Sequence, residues 1–171
     1  DSENVEVRKW GEPREFDFEV KHHGQLSEEK DIADFARATK VAGKGFYYLK
    51  KDLALMNRAL INYAIDFLTK KGYEFVEPPL MINRNVIDSV TDYDFFKESV
   101  YKIEDEDLHM IGTSEHPLMG LHMKETITDD NLPRKYVGYS QCFRKEIGSH
   151  GVDERGLFRV HQFHKVEQVI I

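Results

Sequence analysis

The 171 residues, 40% hydrophobic and 12% aromatic, suffice for the core of one ordinary domain. A formal charge of -7 argues against an autonomous nucleic-acid binder driven by phosphate contacts, although Pro133–Lys165 carries seven Lys or Arg against three acidic residues. One cysteine, Cys142, excludes an internal disulfide or thiolate cluster, and no run of about 18 apolar residues or leader pattern marks a membrane span or secretion. A soluble protein of a reducing cytoplasm is expected. Because the chain begins at Asp1 and stops at Ile171 inside an apparent strand, a piece of something longer is expected too.

Residues 1–27 are polar and weakly patterned, with the alternating FDFEV of Phe16–Val20 as a candidate short strand. SEEKDIADFARATKV predicts a helix with Ser27 as N-cap, glutamates in its first turn, and Ile32, Phe35 and Ala36 at helical spacing. GKGFYYLKK follows as a short strand. KDLALMNRALINYAIDFLTKKG predicts a long amphipathic helix with Leu53, Met56, Leu60, Tyr63, Ala64 and Phe67 on one face, closed by Gly72. Core packing is the plain reading of that stripe.

YEFVEPPLM reads as a strand broken by Pro78 and Pro79, which belong at an edge or turn because each removes a ladder donor. A short helix over Asn83–Ser89, a strand over Ser99–Ile103 and a turn over Glu104–Asp107 come next. HMIGTS then runs as a strand into a loop, and a helix opens within His116–Lys124. YVGYSQCFRKEI and GLFRVHQFHKVEQVII close the chain as two strands around the loop Gly148–Gly156, which is expected to be a mobile flap. This order predicts an α+β fold, a largely antiparallel sheet flanked by helices, in one domain over residues 1–171.

The last hairpin carries the chemistry. Alternation from Leu157 puts Arg159, His161, Phe163, Lys165 and Glu167 on one face, and Phe158, Val160, Gln162, His164, Val166 and Ile170 on the other, expected to be the core face. Arg144 and Glu146, two apart on the preceding strand, also share a face. Arginines, a phenyl ring and carboxylates in one concavity suit an anion, a planar base and an ammonium or hydroxyl group. Alternation by itself more often describes a solvated face with cross-strand ion pairs, but a phenyl ring has little reason to sit on such a face.

Other chemistries find less support. The loop has no GxxxxGK[ST] spacing, so phosphate recognition would fall to arginine. His161 and His164 point to opposite faces with no cysteine pair beside them, so no metal site is expected. TSEHP lacks the G-x-S-x-G pattern, and Cys142 sits where a strand buries its thiol.

On these residues the sequence resembles the seryl-tRNA synthetases, a branch of the class II aminoacyl-tRNA synthetases. GYEFVEPPLM at Gly72–Met81 is similar to class II motif 1, GTSEHPL at Gly112–Leu118 to the Thr-x-Glu serine loop, and FRKEIGSHGVDERGLFRVHQFHKVEQ to motif 2. The resemblance implies a partial class II catalytic fold that activates serine with ATP and Mg2+ and, in the full enzyme, charges tRNA(Ser). It implies that Arg144 contacts the ATP α-phosphate and the serine carboxylate. Glu146 would read the adenine amino edge, Phe163 would stack on the ring, and Arg159 would lie near the phosphates, so that Arg144 and Arg159 are the catalytic pair. Thr113 and Glu115 would take the serine ammonium and Glu167 its hydroxyl.

A homodimer through motif 1 is implied as well. Motif 3, with its magnesium carboxylate, and an N-terminal coiled coil are not found in these residues, so impaired transfer to tRNA is expected. The alternatives are a non-catalytic synthetase-like binding or dimerisation module, and an amino-acid-activating paralogue that charges a carrier protein.

Overall fold

A computed structural model describes residues 3–146 and 156–171. In chain order the elements are α1 (His23–Glu29), β1 (Ala33–Asp34), α2 (Phe35–Ala42), β2 (Tyr48–Leu49), α3 (Lys51–Thr69), β3 (Glu74–Val76), β4 (Met81–Asn83), α4 (Arg84–Val90), α5 (Tyr93–Phe96), β5 (Leu108–Met110), α6 (Glu115–Gly120), a 3-10 turn at Asp129–Asn131, β6 (Lys135–Phe143) and β7 (Gln162–Ile170). Among the described residues three small sheets result: β1–β2, β4–β5, and β3–β6–β7. All pairs are antiparallel except β3 with β6. The α+β class and the largely antiparallel pairing are therefore as expected.

Beyond the prolines the chain continues as β4. Pro78 and Pro79 follow β3, an edge strand of its sheet, where a missing N–H breaks no ladder. The long helix is present, and Gly72 follows it at φ 84°, a left-handed conformation that favours glycine; its N–H bonds Thr69 O at 2.9 Å.

Several local expectations are corrected. Phe16–Val20 forms no strand, and both phenylalanines are exposed. Ser27 is not an N-cap: it is buried inside α1 and donates to Gly24 O at 2.8 Å. The chain leaves α1 through Asp31, at φ 52°, because Ala33–Asp34 must pair with Tyr48–Leu49. Asp34 then caps α2, accepting from Arg37 N at 2.8 Å. Ser99–Ile103 contributes only a bridge from Lys102 to His109 rather than a strand.

The apolar stripe of α3 is corrected as well. Ile61 is the buried residue of this helix, whereas Met56, Leu60, Tyr63 and Phe67 are 54%, 60%, 67% and 46% exposed. Two apolar faces exist on this helix, and the core takes only one. The packed face lies over the sheet, where Arg58 donates to Tyr139 OH at 2.9 Å and that hydroxyl lies 3.0 Å from His164 Nδ1.

One core cluster joins Leu118, Tyr136 and Val169, with Val76 and Ile171 against it; another joins Ile82, Ile87 and Ile111. The first requires Gly138, because a Cβ there would stand 2.7 Å from Leu118 Cδ1. Helix α6 can approach the sheet this closely only over a glycine. The division of the hairpin into a core face and a site face holds only in part: Val160 is buried as expected, but Val169, on the Phe163–Glu167 face, is core too, while Phe158 and Ile170 on the other set are exposed. One face serves as core beneath α6 and carries the polar groups beyond it.

Candidate active site

Register across β6 and β7 assembles the site. Cys142 opposes Phe163, Ser140 opposes Lys165 and Gly138 opposes Glu167, so one face presents Phe163, Lys165 and Glu167 in a row. The ladder continues past β6 as Arg144 N donates to His161 O at 2.9 Å and His161 Nδ1 donates to Arg144 O at 2.8 Å. The hydroxyl of Tyr101 lies 3.0 Å from the same Nδ1. From the other side Phe143 N donates to Ile111 O at 2.8 Å, which brings the loop Gly112–Ser114 against this face.

That docking creates a closed polar cluster. Buried Thr113 donates from Oγ1 to Glu167 Oε2 at 3.0 Å and accepts from Lys165 Nζ at 2.8 Å and from Glu115 N at 3.2 Å. Lys165 also forms an ion pair with Glu167 Oε2. Arg144 is held at 3.0 Å from its Nε to Gly112 O, with its guanidinium carbon 5.3 Å from the centre of the Phe163 ring. Such stacking orients a guanidinium while leaving its outer N–H groups for an anion.

Arg159 and Glu146 pair with each other at 3.3 Å. Arg159 does not stand on the strand as alternation from Leu157 implies, because β7 begins at Gln162 and residues 156–159 form bends. The structure thus gathers Thr113, Arg144, Phe163 and Glu167. Glu115, in the first turn of α6, is exposed and joins the cluster only by its backbone N–H. Sequence reasoning put Lys165 on the right face without giving it work; its period-two position was the available signal. Nothing in the sequence pointed to the Gly112 carbonyl or Tyr101.

Burial sets the protonation of neighbouring groups. It pushes the Cys142 thiol up, away from the thiolate form, which fits a packing role. It pushes the His116 imidazole down, against the charge of Glu115 and with Lys165 and Arg144 adding to the effect, so the neutral form is favoured. Among the described residues, no group of three or more His, Cys, Asp or Glu could hold a metal ion. The expected flap, Gly148–Gly156, falls outside the described residues except for Gly156, beside which Leu157 N donates to His23 Nε2 at 2.9 Å. A cavity of about 610 Å³ near α1 and α2, lined by His22, Phe35, Lys44, Phe46 and Gly156 among others, includes none of the predicted site residues.

Residues 99–171 match the family described as the tRNA synthetase class II core domain (G, H, P, S and T). The matched segment is similar to a class II tRNA synthetase core, and it holds Thr113, Arg144, Phe163 and Glu167. Along nearly its whole length the chain is similar to serine–tRNA ligases: it is 53% identical over 170 residues to one of Methanospirillum hungatei, covering 99% of this chain and 40% of that protein. With a serine–tRNA ligase of Nitrosopumilus maritimus the identity is 52%, again over 99% of this chain and 40% of the relative.

Solved structures agree. A seryl-tRNA synthetase from Pyrococcus horikoshii complexed with ATP matches with a TM-score of 0.87 and 48% identity, covering 91% of this chain and 35% of that one. A cytoplasmic serine-tRNA ligase from Naegleria fowleri in complex with AMP matches with a TM-score of 0.89 and 39% identity, covering 99% and 37%. The chain thus spans about two-fifths of the length of the curated relatives it matches.

Proposed function

We propose that this chain supplies part of the amino-acid-activating site of a seryl-tRNA synthetase. Serine and ATP form seryl-adenylate there and, in the complete protein, the seryl group passes to tRNA(Ser). The observation that carries this is the convergence of Thr113, Arg144, Phe163 and Glu167 on one sheet face, within a chain similar along nearly its whole length to serine–tRNA ligases. Nucleotide complexes of two proteins with this fold add support.

In this mechanism the serine carboxylate attacks the α-phosphorus, the bond from that phosphorus to the bridging oxygen breaks, and pyrophosphate leaves with the electron pair. Catalysis is positioning and electrostatics, with no covalent bond to the protein. Arg144 meets the α-phosphate and the serine carboxylate; its anchorage on Gly112 O and Phe163 means little reorganisation when charge develops. Phe163 stacks on adenine, and Glu146 accepts from the adenine amino group. Arg159 turns to the phosphates, so the Glu146–Arg159 pair opens when ATP enters. Thr113 and Glu115 take the serine ammonium, and Glu167 takes the hydroxyl. Magnesium would offset phosphate charge; among the described residues no group of three or more His, Cys, Asp or Glu could hold it.

The exposed Met56, Leu60, Tyr63 and Phe67 fit a homodimer through α3 and the Pro78–Pro79 segment. A cytoplasmic place in protein biosynthesis follows from the same reading; no described helix is long and apolar enough to cross a membrane.

The test is serine-dependent exchange of pyrophosphate into ATP by the complete protein. Arg144→Ala is expected to lower kcat/KM by about 100- to 1,000-fold, as for loss of one preorganised transition-state donor. Absence of serine-dependent exchange in the unaltered protein, with no binding of a seryl-adenylate analogue by calorimetry, would refute the proposal.

A further inference from the structure

Lys165 has no part in the mechanism above, yet its ammonium stands between the two side chains assigned to serine. It sits between Phe163 and Glu167 on one face of β7, opposite Ser140. It donates to Thr113 Oγ1 at 2.8 Å and pairs with Glu167 Oε2, the oxygen that also accepts from Thr113 at 3.0 Å. With the Glu115 amide as a second donor at 3.2 Å, the Thr113 hydroxyl uses its single proton and both lone pairs, so the long Glu115 amide bond gives way when the serine ammonium reaches this oxygen.

The distribution of these bonds over the carboxylate is uneven. Both donors reach Oε2, and Oε1 accepts no hydrogen bond from the described residues. The last torsion of a glutamate is broad, so an unanchored carboxylate is an acceptor without fixed direction. Two donors on one oxygen remove that freedom and leave the other oxygen as an oriented acceptor. The Lys165 and Glu167 side chains are 32% and 22% exposed, so the pair is only partly screened by water.

We propose that Lys165 is a positioning residue for amino-acid selection: by anchoring Glu167 through Oε2, it aims Oε1 at the side-chain hydroxyl of the substrate. The role presupposes serine activation at this site. It acts on discrimination rather than on the attack at phosphorus, because a hydroxyl-accepting carboxylate left unpaired is what disfavours alanine.

The test compares the unaltered complete protein with Lys165→Met, which keeps an unbranched stem without charge, and Lys165→Arg, which keeps the charge. Serine- and alanine-dependent pyrophosphate exchange are measured for each. Lys165→Met is expected to raise the serine KM and to lower the serine-over-alanine ratio of kcat/KM by about 10- to 100-fold, with the ATP KM within about twofold. Lys165→Arg is expected to recover most of that ratio. The inference is overturned if Lys165→Met leaves the ratio unchanged or degrades serine and ATP parameters alike. Tighter serine binding would overturn it too, since Lys165 would then be a competitor of the substrate ammonium at Thr113.

Should Lys165→Met fail to fold, Lys165→Gln replaces it, and an equal ratio in the Arg and Gln variants overturns the inference. Absence of exchange in the unaltered protein would instead remove the serine-activating reading beneath it.

Discussion

Gly138→Ala adds a single methyl group at the point where α6 meets the sheet. The new Cβ would lie 2.7 Å from Leu118 Cδ1 and 3.3 Å from its Cγ, well inside van der Waals contact. Leu118 cannot swing aside, because it is 1% exposed and packed with Tyr136 and Val169. Either α6 lifts or Leu118 leaves its rotamer, and overpacking of this kind costs about 1–3 kcal/mol. For a chain of this size that lowers Tm by about 2–4 °C per kcal/mol.

The displacement also reaches the site. Gly138 is the ladder partner of Glu167, and α6 follows directly on Thr113 and Ser114, so the Thr113–Glu167 bond should lengthen. Urea unfolding followed by circular dichroism measures the first effect, and the serine KM in pyrophosphate exchange measures the second. A double-mutant cycle with Leu118→Val isolates the clash, since the smaller side chain should recover part of the loss. An unchanged urea midpoint in Gly138→Ala, or strict additivity with Leu118→Val, would refute the packing argument.

Two further outcomes are expected. Leu60→Glu puts a charge into the exposed apolar stripe of α3; if two copies meet there about a two-fold axis, repulsion and desolvation weaken association by about 100-fold or more, read by sedimentation as a shift to monomer. The buried His116 imidazole is held below its ordinary value, so the unfolded chain takes up a proton before the folded one does. Stability contributed by its neutral form is therefore present above an ordinary imidazole value of about 6.5 and is lost as pH falls through it; His116→Leu should flatten the decline of the urea midpoint between about pH 7 and 5.

Period and local chemistry determined much of this protein. The 3.6-residue stripe and trailing Gly72 announced α3, the paired prolines announced the end of an edge strand, and period-two alternation placed Phe163, Lys165 and Glu167 on one face. These features are legible because they depend only on residues a few positions apart. Tertiary packing decided the rest. The helix predicted from Ser27 is split because Ala33–Asp34 is drawn into pairing with Tyr48–Leu49, Ala33 opposite Leu49 and Asp34 opposite Tyr48. The α3 stripe is left exposed because the sheet covers a different face of the helix, and apolar spacing says nothing about which of two faces finds a partner.

At the site the same division holds. Alternation could nominate Lys165 and Glu167, but their shared contact with Thr113 arises only when the segment after β5 docks beside β6 through Phe143 N and Arg144 Nε. Hydrogen bonds between residues more than fifty positions apart leave no periodic trace in a single sequence. That is why alternation could set Phe163, Lys165 and Glu167 on one face, while the direction in which Glu167 offers its free oxygen was decided by the fold alone.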